Sequence, residues 1–156
     1  MLIKSNIIII MSVFCSLLNS DLYASDLTSG YVALEAKDYK VATRYFQLVI
    51  KDDPASLEAK LGLAKVYRAR GKKRRMKVLV TDVLNVTPND IDALQLQAEL
   101  YLWDRDFRSA HNVFTKILEI DDQNTQALMS LANTLNALGK IEEADAIYNR
   151  TNALQE

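Results

Sequence analysis

Apolar residues recur three and four positions apart along most of the chain, and short polar breaks separate the stripes at regular intervals. Leu94, Ala98, Tyr101 and Leu102 fall on one side of a 3.6-residue helix, and the polar turn Asp104-Arg105-Asp106 interrupts them. Phe107, Ala110, Phe114, Ile117 and Leu118 then form a second stripe. Asp121-Asp122-Gln123-Asn124 ends it, and Asn124 is suited to cap the next helix. Asp52-Asp53-Pro54 and Thr87-Pro88-Asn89-Asp90 are equivalent breaks. The pattern predicts pairs of amphipathic helices joined by tight turns.

The pairs repeat with a period of 34 residues. Pro54 and Pro88 are one period apart. Ala42, Met76, Ala110 and Ala144 share one register position, and Gly30, Ala64, Ala98 and Ala132 share another, always small. Phe46, Val80, Phe114 and Tyr148 share a third, always large. Tyr67 and Tyr101, and Gly71 and Gly139, keep the same step. The small positions let paired helices approach closely, and the large ones fill the space between neighbouring pairs. One helix pair cannot bury its own stripe, so the pairs are expected to stack into a linear array.

These residues resemble the tetratricopeptide repeat family over nearly all of the chain after its first two dozen residues. The third and fourth repeats carry the resemblance best, in Leu94-Gln-Leu-Gln-Ala-Glu-Leu-Tyr101 and Ile141-Glu-Glu-Ala-Asp-Ala-Ile-Tyr148. Four repeats are read: 23–56, 57–90, 91–124 and 125–156. The implied fold is all-α, an α-solenoid of four helix-turn-helix repeats wound as a right-handed superhelix with a concave inner face. Departures are Asp26 in the first repeat, Lys73 and Met76 in the second, and Asp122 and Glu156 in place of the closing proline. Thr151 and Asn152 replace the apolar pairs of the earlier repeats, which reads as a polar cap on the last helix.

The first residues have a different grammar. Lys4, the run from Ile7 to Leu18 and the sequence Leu22-Tyr23-Ala24 read as a secretory signal peptide over residues 1–24, cleaved after Ala24. The alternative is an N-terminal membrane anchor, although a twelve-residue run is shorter than the roughly 20 residues a span needs. Val13 and Phe14 stand where a lipid-attachment motif before Cys15 would need small residues. Residues 25–156 are then the array, without cysteine and compatible with an oxidising compartment.

Composition excludes several classes. The sole Cys and sole His exclude a disulfide scaffold and any multi-His metal site. There is no Gly-rich phosphate loop, no nucleophile elbow and no paired metal-ligand motif, so neither catalytic residues nor cofactors are expected. His111, mid-helix and on the expected solvent face, would need an orienting carboxylate and a cleft to act as a general base. Acidic pairs such as Glu142-Glu143 sit in first helical turns, where they suit the helix dipole.

Two surfaces remain. The resemblance implies that the first helix of each repeat lines the concave groove and binds extended peptides or partner helices. Carried over, the groove presents Tyr31, Lys65, Arg68, Gln95, Glu99, Trp103, Asn133 and Asn136, with Leu27, Leu34, Glu58, Leu61, Leu102 and Met129 beside them. The clamp that some family members use on the carboxylate of chaperone tails is absent, because Leu27 and Tyr31 occupy its Lys and Asn positions. The second surface is the run Arg68, Arg70, Lys72, Lys73, Arg74, Arg75 and Lys77. The whole chain carries a net charge of −1, so this basic ridge stands on an otherwise acidic surface. Lys73 replaces an apolar residue with no structural gain legible in the sequence.

The expected function is an exported, non-enzymatic scaffold that binds a protein or peptide partner in assembly of a bacterial periplasmic envelope system for secretion, pili or polysaccharide export. Alternatives are a reader of anionic polymers or membrane surfaces through residues 68–77, and an accessory subunit of an exported enzyme. Nucleic acid is excluded as a target, since no stacking aromatics interleave the basic run.

Overall fold

The computed structural model describes residues 26–154 of the chain. The expected leader, 1–24, and its cleavage site lie outside them. The described residues hold eight helices and no strand: α1 (26–35), α2 (Tyr39–Asp52), α3 (Leu57–Ala69), α4 (Lys73–Val86), α5 (Ile91–Trp103), α6 (Phe107–Ile120), α7 (Thr125–Ala137) and α8 (Ile141–Ala153). They form the four predicted helix pairs. In the second and third repeats the period resolves into a 13-residue helix, a three-residue turn, a 14-residue helix and a four-residue link.

The turns within pairs share one backbone device. Lys37, Gly71, Arg105 and Gly139, one period apart, all have positive φ, between 58° and 78°. The next amide reaches back five residues each time, from Asp38 to the Ala33 carbonyl, Lys72 to Tyr67, Asp106 to Tyr101 and Lys140 to Leu135, at 2.8–3.0 Å. This is the Schellman closure, which satisfies carbonyls that the helix end leaves without partners.

The links between repeats have a second device. Ser56 Oγ accepts from the Ala59 amide, Asp90 Oδ1 from Ala93 and Asn124 Oδ1 from Ala127. Each capped amide belongs to a fully buried alanine, so the same position starts the helix and seats it in the core. Lys116 Nζ and Arg150, also one period apart, donate to the link carbonyls of Pro88 and Asp122.

The chain divides between Val66 and Tyr67, inside α3, into two compact bodies. The first is centred on Phe46, which is fully buried. A Cβ at Gly30 would lie 2.7 Å from its ring and one at Gly62 2.4 Å, so both glycines provide the space the ring fills. Tyr31 meets Phe46 edge-on at 5.1 Å between centroids. Burial of a ring of this size contributes roughly 1.5–3 kcal/mol.

In the second body α4 packs on α5, α5 on α6, α6 on α7 and α7 on α8. Leu94, Ala98, Ala110, Phe114, Ile117, Ala127, Leu131, Leu135 and Ala144 form one continuous core. Met76 occupies the buried position that elsewhere holds Ala42, Ala110 and Ala144, with no exposure. The last helix departs from the expected polar face at Thr151. Asn152 is exposed, but Thr151 is 3% exposed. Its hydroxyl donates to the Ile147 carbonyl at 2.8 Å, which lets the rest of the side chain pack where the other repeats have Val49, Val83 and Ile117.

Candidate functional site

The groove candidates divide by body. In the first body, Tyr31 is partly buried and its hydroxyl donates to the Glu58 carbonyl at 3.3 Å. Lys65 is partly buried. Leu61, expected on the groove, is 8% exposed and belongs to the core.

In the second body several expected binding groups satisfy one another. Arg68 and Glu99 form an ion pair at 3.0 Å, with 42% and 29% of their side chains exposed. They therefore present one neutral pair where two separate charges were expected. An exposed pair of this kind contributes at most about 1 kcal/mol. Asn133 and Asn136 are exposed, yet both address Tyr148: its hydroxyl donates to Asn133 Oδ1 at 2.7 Å and lies 3.3 Å from Asn136 Nδ2. Half of the Asn133 amide is thus already engaged. The physical cause is the ring position, held by Phe46, Val80 and Phe114 elsewhere and here by a tyrosine whose hydroxyl needs partners.

Gln95 is partly buried on α5. Trp103 ends the same helix with 43% exposure, and Met129 on α7 is 48% exposed. At the register position of Trp103 the other repeats carry Glu35, Ala69 and Ala137. The repeat architecture therefore does not require an indole at this position.

The basic ridge is also sorted by its partners. Lys73 Nζ pairs with Asp104. This overturns the expectation that Lys73 brings no structural gain: the ammonium ties α4 to the turn after α5. The Arg75 guanidinium lies 5.7 Å from the centre of the Tyr67 ring, and Arg68 is held by Glu99. The remaining four, Arg70, Lys72, Arg74 and Lys77, are exposed and their side chains have no ion-pair or hydrogen-bond partner among the described residues. Their place is electrostatically adverse. Lys72 to Arg75 crowd the start of α4, which has no acidic residue in its first turn and no side-chain cap. The positive end of a helix dipole disfavours cations by about 0.3–1 kcal/mol each at low salt. α8 also starts after a lysine, but Glu142 and Glu143 follow it, and Lys140 Nζ bonds Glu143 Oε1 at 2.8 Å.

His111 is partly buried beside an open depression of about 360 Å³ that Arg108, Asn112, Leu138 and Lys140 also line. No carboxylate is among those residues, so the orienting group that a general base needs is not placed there. Among the described residues no helix is long and apolar enough to cross a membrane.

The sequence reading missed Val78, which is 61% exposed on α4. The signal was available in the register: the equivalent residues Arg44, Asn112 and Ala146 are polar or small.

Comparison with solved structures finds the same fold repeatedly. MamA from Desulfovibrio magneticus RS-1, residues 41 to the end, superposes with a TM-score of 0.75 at 16% identity, over 85% of this chain and 75% of that one. MamA of AMB-1 gives 0.70 at 20% identity, over 85% and 78%. MamA of MSR-1 gives 0.68 at 18% identity, over 83% and 75%. Comparison with the curated proteins returns no match. The tetratricopeptide repeat family matches residues 33–100 and 102–155. With helix pairs, turns and core in the register of that family, the chain belongs to the tetratricopeptide repeat proteins, a fold of protein-interaction scaffolds.

Proposed function

We propose that the protein is an exported, non-enzymatic scaffold that holds an extended segment of a partner protein against the first helices of its third and fourth repeats. The carrying observation is Trp103. It is the sole tryptophan, it stays 43% exposed, and the repeat architecture does not require it. Rigid aromatic side chains are frequent anchors of protein interfaces. Met129 adds an adaptable apolar contact on α7. The free part of the Asn133 amide can bond a partner's main chain. The leader-like residues 1–24 support export, and an envelope assembly of a bacterium is the setting that fits an exported scaffold of this kind.

Two measurements test the reading. The full chain fused at its C-terminus to alkaline phosphatase, an enzyme active only after export, is expected to give activity in a bacterial host. A silent fusion refutes export. The sole tryptophan also makes fluorescence specific to the site. Adding the purified envelope component that crosslinks at position 103 should shift the emission to the blue, and Trp103→Ala should weaken binding at least tenfold, the scale of an aromatic anchor. A partner that binds Trp103→Ala as tightly as the original chain removes this surface from the account.

A further inference from the structure

α4 differs from the other second helices on one exposed face. Lys77 stands where α2, α6 and α8 carry Thr43, His111 and Asp145, and Val78 where they carry Arg44, Asn112 and Ala146. Arg74, Lys77, Val78 and Thr81 are three and four residues apart, which puts them on one side of the helix. They line an open depression of about 330 Å³ with Asp82. Arg70 and Lys72, in the turn just before, extend the charge.

We propose that this face of α4 docks an acidic segment of a partner protein, with carboxylates on Arg74, Lys77 and the turn cations and one aliphatic side chain on Val78. Charge complementarity sets the sign of the partner. Of the four unpaired cations, Lys72 and Arg74 are not there for the stability of α4, since they sit at its positive end and no acidic side chain of its first turn offsets them. Val78 and Asp82 set the class. A bare polyanion has nothing apolar to place on the valine. A uniformly anionic bilayer would meet Asp82 unfavourably. A polypeptide can vary its residues along its length, so that carboxylates meet Arg74 and Lys77, an aliphatic group meets Val78, and a neutral or basic residue meets Asp82. The surface lies on α4 and is independent of Trp103 on α5.

The test uses the full chain and a fluorescein-labelled peptide in which glutamates flank a single leucine. A second peptide has serine for the leucine. Vesicles of phosphatidylglycerol and heparin serve as the other anions. The leucine peptide is expected to bind by anisotropy, and its affinity should fall steeply with salt, as exposed charges do within a Debye length of about 8–10 Å. Arg74→Glu with Lys77→Glu should lower affinity by roughly tenfold or more, the summed scale of exposed ion pairs that have become repulsive. Val78→Ser should lower it several-fold for the leucine peptide and leave the serine peptide unchanged. Both variants alter exposed side chains, so thermal unfolding near that of the original chain confirms that they are folded. Trp103→Ala should leave peptide binding unchanged, which separates failure here from failure of the groove. No binding of the leucine peptide, indifference to Val78→Ser, or tighter binding to vesicles or heparin than to the peptide overturns the proposal.

Discussion

The turns inside the second and third repeats have the same backbone and almost nothing in common chemically. In the second, Gly71 adopts φ 65° and Lys72 starts α4 without a side-chain cap. In the third, Arg105 adopts φ 58° and Asp106 caps α6 by accepting from the Ser109 amide at 3.1 Å. The first and fourth repeats fall into the same two classes. Lys37-Asp38 matches the third repeat and Gly139-Lys140 the second. Each turn thus has one favourable residue and one unfavourable one. Glycine relieves the left-handed conformation, which costs other residues about 1–2 kcal/mol. Aspartate satisfies an orphan amide at the helix start, worth about 0.5–2 kcal/mol. The two contributions are similar in size, so either suffices and neither needs to persist from repeat to repeat. This is one way a fold can be shared with MamA at 16–20% identity.

The comparison breaks most visibly if a turn is left with neither device. Gly71→Arg does this, since Lys72 supplies no cap. A Cβ at position 71 meets nothing within 4 Å, so no steric clash adds to the expected conformational loss of about 1–2 kcal/mol. Urea unfolding of the variant measures it. A loss below a few tenths of a kcal/mol would mean that glycine is not what holds this turn.

The converse change gives a turn both devices. Arg105→Gly keeps Asp106 and removes the left-handed strain. Glycine loses more backbone freedom on folding, which takes back part of the gain. The net expectation is a stabilisation of about 0.5–1 kcal/mol, read as a raised melting temperature. A destabilised variant would show that Arg105 contributes through its side chain. Smaller still is the effect of transplanting one turn into the other. Gly71→Arg with Lys72→Asp gives the second repeat the chemistry of the third, and should return stability to within about 0.5 kcal/mol of the original chain.

These turns also show how far the sequence could be read. Helix pairs, their bounds and the core register follow from a period that both spacing and residue size obey, because every repeat must bury the same stripe. Gly71 and Gly139, which entered the sequence pattern only as register positions, occupy two of the four left-handed turns. Lys37 and Arg105 were not legible as the other two, because propensity favours glycine there and the Schellman closure overrides it. The site was less legible for a related reason. Arg68–Glu99 and Lys73–Asp104 join residues 31 apart on different elements, α3 with α5 and α4 with the turn after α5, and neither pair recurs in the other repeats. Likewise the Asn133–Tyr148–Asn136 network arises only where a tyrosine hydroxyl takes the place of a phenylalanine edge. Periodicity records what repeats share, and binding surfaces consist of what they do not share. Trp103 was legible through the groove that the family resemblance implies, and Val78 only as a break in the register.

The smallest expected effect separates the two devices by pH. Hydrogen bonds from Ser109, first from its side chain and then from its amide, hold the Asp106 carboxyl below its ordinary value of 3.8, with the Arg108 charge adding to them. A carboxylate whose value is lowered on folding stabilises the fold at pH above its unfolded value, and that contribution fades as pH falls through the lower folded value. The melting-temperature gap between the original chain and Asp106→Ala should therefore stay constant from neutral pH to roughly pH 5 and close as pH falls below the aspartate range. The gap between the original chain and Gly71→Arg involves no titrating group at position 71, so it should stay flat over the same range. If the Asp106→Ala gap is just as flat, the aspartate does not act as a charged cap, and the equivalence of the two turns loses its physical basis.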